Sequence, residues 1–143
     1  MTFLWKLLHL LLPTEQRLSR ILPNCSAVCK LCPVQTVADL PHCLFQCVST
    51  QEVGDWLLSL VRQHDPFLTA SKLIKLDFQA DESYEMPLVW IIAQTLLYLW
   101  GVRLDGKVAN LIITRAKLES KISLLRESRY HNESILMQEM IDM

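Results

Sequence analysis

Between residues 29 and 47 the chain reads CKLCPVQTVADLPHCLFQC, in which four cysteines and one histidine are of the kind that hold a borderline-soft metal ion. Cys29 and Cys32 form a C-x2-C pair, a spacing at which one tight turn brings two thiolates to a single ion. His42 follows after nine intervening residues and Cys47 after four more. Three sulfurs and one imidazole make a closed tetrahedral set with no position left for water, which predicts a structural zinc and no hydrolytic chemistry at the metal. The step from His42 to Cys47 fits the first turns of a helix, with both ligands on one side and Leu44 and Phe45 packed elsewhere. Cys25 and Cys43 compete for the role: either is a spare thiol or replaces one of the four. The plainer alternative is five small buried thiols beside a satisfied core histidine. It suits an isolated cysteine better than four ligand types gathered in nineteen positions. Bound metal would contribute folding free energy on the order of 10 kcal/mol to a segment with too few apolar residues to close unaided.

The rest of the sequence sets what must position these residues. All five cysteines lie within residues 25 to 47. An odd, clustered set favours reduced thiols on a metal inside a cell over an extracellular disulfide scaffold. A chain of 143 residues, 51% hydrophobic and 20% charged, can bury a core of its own. Three glycines leave little for hairpin turns or for a phosphate-cradling loop, so helix is the default. The formal charge of -1 gives no global reason to expect a nucleic-acid partner, and any such contact must rest on local patches.

The expected architecture is all-α: a small helical domain with an irregular zinc-binding loop near its N-terminus and a long antiparallel helical pair. Residues 1–12, MTFLWKLLHLLL, are interrupted by Lys6 and His9 and lack a small-residue cleavage site before Pro13, so an amphipathic helix over 2–11 is expected rather than a signal peptide. Thr14 opens a second short helix to about Leu22. After the loop, Ser49 and Glu52 stand at capping-box spacing before Val53, Trp56, Leu57, Leu60 and Val61, which recur at helical intervals to about His64. TASKLIKL gives a short helix ahead of the acidic loop DFQADESYE. Pro87 suits the first turn of the next helix, which runs to about Leu104 and should be the most buried element. Its run from Leu88 to Val102 carries Gln94 at the centre and is shorter than the roughly twenty residues of a membrane span. From Lys107 to Arg129 the positions Val108, Leu111, Arg115, Leu118, Ile122 and Leu125 form an antiparallel seam with Arg115 as the exception. A last amphipathic segment, 132–141, carries Ile135, Leu136 and Met140. The natural division is 1–48, lead-in plus zinc knuckle, and 49–143, a bundle packing on it, the two making one domain.

These residues carry a resemblance. LPTEQRLSRILPN followed by CKLCPVQTVADLPHCLFQC resembles the C-terminal zinc-binding region of reverse transcriptases of non-LTR (LINE-type) retrotransposons, in which a W..L....LPT..RL.RI stretch precedes a C-x2-C...H-x4-C knuckle. Trp5, Leu12, Pro13, Thr14, Arg17, Leu18, Arg20 and Ile21 match the lead-in, and Cys29, Cys32, His42 and Cys47 match the ligands. The likeness continues more weakly through LTASKLIKLDF, MPLVWIIAQTLLYLWGVR and RAKLESKISLLRESRYH, so it spans nearly the whole chain. The nine-residue gap before His42 is slightly longer than the seven or eight usual in the family. The resemblance implies a terminal module that helps engage RNA or target DNA during reverse transcription. Polymerase and endonuclease carboxylate motifs are missing; FQADE at 78–82 lacks paired aspartates, and no enzyme activity is expected. The chain resembles a fragment or remnant of such a polyprotein.

Physical support for nucleic-acid contact comes from Arg17, Arg20 and Lys30 beside the knuckle, and from Lys107, Arg115, Lys117, Lys121, Arg126 and Arg129 on the long basic helix, which otherwise reads as a solvated face. Phe45 is the one aromatic inside the knuckle, and core packing suits it better than base stacking. Two functions are thus expected to compete: a zinc-dependent nucleic-acid-binding module, and a zinc-stabilised scaffold packing on the rest of a polyprotein or another protein. An intracellular setting is expected, with neither a membrane nor a small-molecule substrate as partner. His9, His64 and His131 show no nucleophile pattern that would suggest a hydrolase.

Overall fold

The computed structural model describes Lys6 and residues 12–142. The helix expected over 2–11, with Trp5, therefore lies outside the described residues except for Lys6, which is helical. Among the described residues the protein is helical as expected, with an irregular loop where the ligands cluster and no β-strand beyond one isolated antiparallel bridge between Val28 and Val37.

Helix α1 (Glu15–Ile21) starts where Thr14 predicts it: the Thr14 hydroxyl accepts the Arg17 amide at 3.2 Å. The chain then runs through the ligand loop into a single π-helical turn (His42–Gln46) and on to α2 (Gln51–Arg62). The expected capping box is not made. Thr50 stands at the N-cap, and Ser49 is buried, donating its hydroxyl to the Lys107 carbonyl while its own carbonyl accepts the Ala109 amide at 2.7 Å. Val53, Leu57, Leu60 and Val61 are buried on α2 at the predicted spacing, with Trp56 half-buried against the same core.

The short α3 (Ala70–Ile74) is capped by Thr69 and ends with the Asp77 amide reaching back to the Lys72 carbonyl, which places Leu76 at a φ of 57°. Helix α4 (Glu82–Leu104) begins before Pro87 rather than at it. Asp81 is its N-cap and Glu82 and Glu85 occupy its first turn, where negative charge complements the helix dipole. Nor is α4 enclosed all round: Leu88, Ile91, Ile92, Leu96 and Leu99 are buried, but Met86, Leu97 and Leu104 are exposed. By length and composition it could cross a membrane, yet half of its apolar window is buried inside the protein. Its end is a glycine-dependent stop: Gly106 at φ 68° lets the Lys107 amide bond the Val102 carbonyl.

Helices α5 (Leu111–Arg126) and α6 (His131–Asp142) complete an antiparallel cluster with α4. Lys121 donates to Gln94 Oε1 at 2.7 Å, and Lys117, one turn earlier on α5, lies 5.2 Å over the ring of Tyr98, one turn later on α4. Contacts that advance on one helix while retreating on the other define antiparallel packing. The seam is realised at Leu118 and Ile122, whereas Val108 precedes α5 and is exposed. Arg115, the polar exception, donates to the Ile141 carbonyl at 2.9 Å, satisfying the last turn of α6. On α6 the buried set is Ser134, Met137, Met140 and Ile141, so Met140 is buried as expected, Leu136 is half-buried and Ile135 is exposed. Across the division at residue 48, Arg103 on α4 reaches Glu15 and Cys29, and the Thr50 hydroxyl donates to the Cys43 carbonyl.

Candidate metal centre

The three Sγ atoms of Cys29, Cys32 and Cys47 and an imidazole nitrogen of His42 all lie within 4.8 Å of one another. Cys29 Sγ is 3.7 Å from Cys47 Sγ, Cys32 Sγ is 3.8 Å from Cys47 Sγ, and Cys32 Sγ is 3.4 Å from His42 Nε2. No disulfide forms among the five cysteines. The predicted four therefore converge at distances close enough to bind one metal ion, and neither competitor joins them. Cys25 is half-buried outside the cluster, and Cys43 is enclosed in the apolar core.

Local backbone geometry explains the convergence. The Cys29 amide donates to the Thr36 carbonyl at 2.9 Å and the Ala38 amide to the Ala27 carbonyl at 2.8 Å, folding 27–38 back on itself and presenting the C-x2-C turn at its end. The helix start expected over His42–Cys47 is a π turn instead. In an α-helix, residues five apart stand about 140° apart around the axis. The Cys47 amide bonds the His42 carbonyl at 2.7 Å, an i to i+5 closure that brings the two ligands nearer to one face. Asp39 Oδ1 accepts the His42 amide at 2.9 Å, and the Thr50 hydroxyl donates to the Cys43 carbonyl at 2.7 Å. Helix α2 lies hard against this turn at Gly54, where a Cβ would stand 2.5 Å from the Leu44 carbonyl oxygen.

A charged pair supports the cluster from the far end of α4. Arg103 Nη2 donates to Cys29 Sγ at 3.2 Å and, with Nη1, clamps the Glu15 carboxylate at 2.5 and 3.0 Å. Both side chains are largely buried, at 5% and 12% exposure. Burial disfavours the guanidinium charge, but the Glu15 and Cys29 contacts outweigh it and hold Arg103 firmly protonated. Burial also pushes the Cys29 thiol up, yet N–H donors from Leu31, His42, Cys32 and Arg103 prevail and bring it down to about 6. Cys47 goes the other way, to about 11, through burial and the neighbouring sulfurs against the opposing Ser49 amide. Cys43 is pushed to about 12 by burial despite Arg103, which keeps it a neutral core thiol. One thiolate is thus favoured before any metal arrives, and a cation must displace the Cys47 proton. The sequence gives no spacing signal for Arg103 and Glu15; the available clue is a lone arginine closing an apolar run, which needs a partner if buried.

The residues expected to contact nucleic acid divide. Arg17, half-buried, and Arg20, exposed, line one cavity of about 260 Å3 between α1, the Asp39–Pro41 segment and α3, together with Lys75. Lys30 is exposed on the knuckle and is not among the residues lining that cavity. On the basic helix, Arg115, Lys117 and Lys121 are engaged with Ile141, Tyr98 and Gln94, and beyond its end Arg129 stacks on Tyr130, so much of this charge has internal partners. No family model, no curated protein and no solved structure matches the chain.

Proposed function

We propose that this chain is a zinc-closed helical module without catalysis of its own, akin to the terminal zinc-binding region of LINE-type reverse transcriptases, that holds an RNA or DNA strand inside the cell. The observation that carries the metal reading is the spacing of the four ligand atoms. Tetrahedral zinc, with sulfur at about 2.3 Å and imidazole nitrogen at about 2.0–2.1 Å, requires sulfur–sulfur separations near 3.8 Å and sulfur–nitrogen separations near 3.5 Å. Three of the six separations, at 3.7, 3.8 and 3.4 Å, fit those edges, and all six fall within 4.8 Å. Cys29, Cys32, His42 and Cys47 would hold the ion, whose contribution is to cross-link the loop and the π turn. A full protein shell leaves it no open position for substrate. Nucleic-acid contact is supported by Arg17 and Arg20, held near the centre on α1, and by the exposed Lys30.

The test is zinc stoichiometry by native mass spectrometry, followed by RNA and DNA binding over a salt series. One zinc in the wild-type protein, lost in Cys29→Ser and in His42→Ala, and affinity that falls with salt are expected. A zinc-free wild-type protein would remove the metal reading, and salt-independent or absent binding would remove the nucleic-acid one. A second function, packing on another protein, is favoured by the apolar exposure of Leu104, Val108 and Ile112 at 63%, 70% and 79%. It predicts a zinc-loaded protein without nucleic-acid affinity whose association is broken by Ile112→Ser.

A further inference from the structure

The cavity between α1 and α3 has a character that the overall composition conceals. In a chain of net charge -1, its lining carries three cations, Arg17, Arg20 and Lys75, against the single carboxylate of Asp39. That carboxylate is already engaged, since its Oδ1 accepts the His42 amide at 2.9 Å. Lys75 lies far from the arginines in sequence, and only the fold brings it to them. Leu12, Leu40 and Ile74 supply an apolar floor. The volume, about 260 Å3, falls below the roughly 300–1,000 Å3 of clefts that enclose small-molecule ligands. It suits one charged group of a longer molecule better than a whole cofactor. No aromatic ring lines the cavity among the described residues, so bases have nothing to stack on and the backbone is what it can grip.

We propose that this groove seats a phosphodiester of a single-stranded nucleic acid, read by charge and not by sequence. The assignment rests on the nucleic-acid reading above and deepens it, adding Lys75 and separating Arg17 and Arg20 from Lys30. It also ties binding to the metal centre: Pro41 in the groove wall immediately precedes His42, and the Gln16 amide bonds the Ala38 carbonyl at 3.2 Å, fixing α1 to the ligand loop.

The experiment is fluorescence anisotropy with the zinc-loaded full chain and fluorescein-labelled oligouridylate and oligoadenylate. Arg20→Gln and Lys75→Gln, both at exposed positions, are each expected to weaken binding about three- to tenfold at low salt. Both strands should be affected alike, and the slope of log K against log salt should shrink by about 0.7 for each phosphate that is no longer neutralised. Zinc content and circular dichroism establish that the variants are folded. If the wild-type protein binds but Arg17→Gln/Arg20→Gln/Lys75→Gln binds equally well, the groove is overturned while the nucleic-acid reading stands. A weakening confined to one of the two strands would put bases against these side chains and overturn it as well. If the wild-type protein binds neither strand, the nucleic-acid reading fails and this assignment with it. Groove-dependent capture by phosphatidylserine vesicles in that case would give the site to a membrane surface.

Discussion

Two glycines sit inside helices, and the same substitution at each should change stability in opposite directions. In a free helix Gly→Ala gains about 0.5–1 kcal/mol, because alanine has less backbone entropy to lose. At Gly101 a Cβ would meet nothing within 4 Å, so Gly101→Ala should keep that gain. At Gly54 the Cβ would lie 2.5 Å from the Leu44 carbonyl oxygen and 2.9 Å from Phe45 Cα, both backbone atoms that no rotamer can move. Restoring an ordinary 3.4 Å contact requires α2 to withdraw from the π turn by roughly 0.9 Å, the difference between 3.4 and 2.5 Å. Overpacking of this kind costs about 1–3 kcal/mol, which exceeds the helix gain. Gly54→Ala should therefore lose up to about 2.5 kcal/mol net, which is up to about 8 °C in Tm for a chain of this size. Leu44 and Phe45 lie between the ligands His42 and Cys47, so metal affinity should fall about tenfold, as for other disturbances behind a ligand. Thermal melts of the metal-loaded proteins and competition against a chromophoric chelator read both effects. A Gly54→Ala protein as stable as Gly101→Ala, with unchanged metal affinity, would refute the close packing of α2 on the ligand turn.

Other expectations follow from the same centre. Cys32→Ser and Cys47→Ser should abolish metal binding and lower helix content, while Cys25→Ser and Cys43→Ser keep one metal per chain; native mass spectrometry and circular dichroism distinguish them. Arg103→Met strands the buried Glu15 carboxylate and should cost about 3–5 kcal/mol in urea unfolding, with Arg103→Met/Glu15→Leu recovering much of the loss; equal damage from both would trace the loss to the other contacts of Arg103 and refute the stranded charge as its cause. In metal-free protein the Cys29 thiol is depressed to about 6, so its contribution to stability is present above its ordinary value and is lost as pH falls through about 6. Urea midpoints of wild type and Cys29→Ser across that window should converge on the acid side, and parallel curves would contradict the shift. Zinc retention should weaken over the same descent, because protons compete for every ligand.

The cluster that could hold a metal was legible in the sequence because it is local: the C-x2-C pair and the later His42 and Cys47 need only a fold-back and one turn to meet. The faces of α2 and of the α4–α5 seam were legible through period, since burial of Val53, Leu57, Leu118 and Ile122 follows helical spacing. What escaped depends on partners distant in the chain. Ser49 carries the signature of a cap but is drawn instead to the Lys107 carbonyl. Pro87 marks a plausible helix start, yet acidic residues upstream extend α4 back to Glu82. The π turn adds a residue to the hydrogen-bonded ring that side-chain periodicity does not announce. Arg103 meets Glu15 and Cys29 only after α4 docks, and Lys75 meets Arg17 and Arg20 only after α3 is placed.

The reach of Arg103 to Cys29 also bears on the order in which the protein assembles. The four candidate ligands are made before the bundle helices and lie close together in the chain, so bringing them to one ion costs little loop entropy. The guanidinium that steadies Cys29 is added to the chain 74 residues later, and the Ala109 amide that locks Ser49 later still. We expect metal capture on the nascent chain to come first, with the long helix docking onto a loop already closed. A ribosome-bound chain stopped after Val102, with the ligand loop outside the exit tunnel and the long helix still inside it, that takes up no zinc would reverse that sequence of events. Under this order, a cell short of zinc would release chains whose α4 has lost its landing site, leaving the most apolar helix exposed to aggregation before the bundle can form.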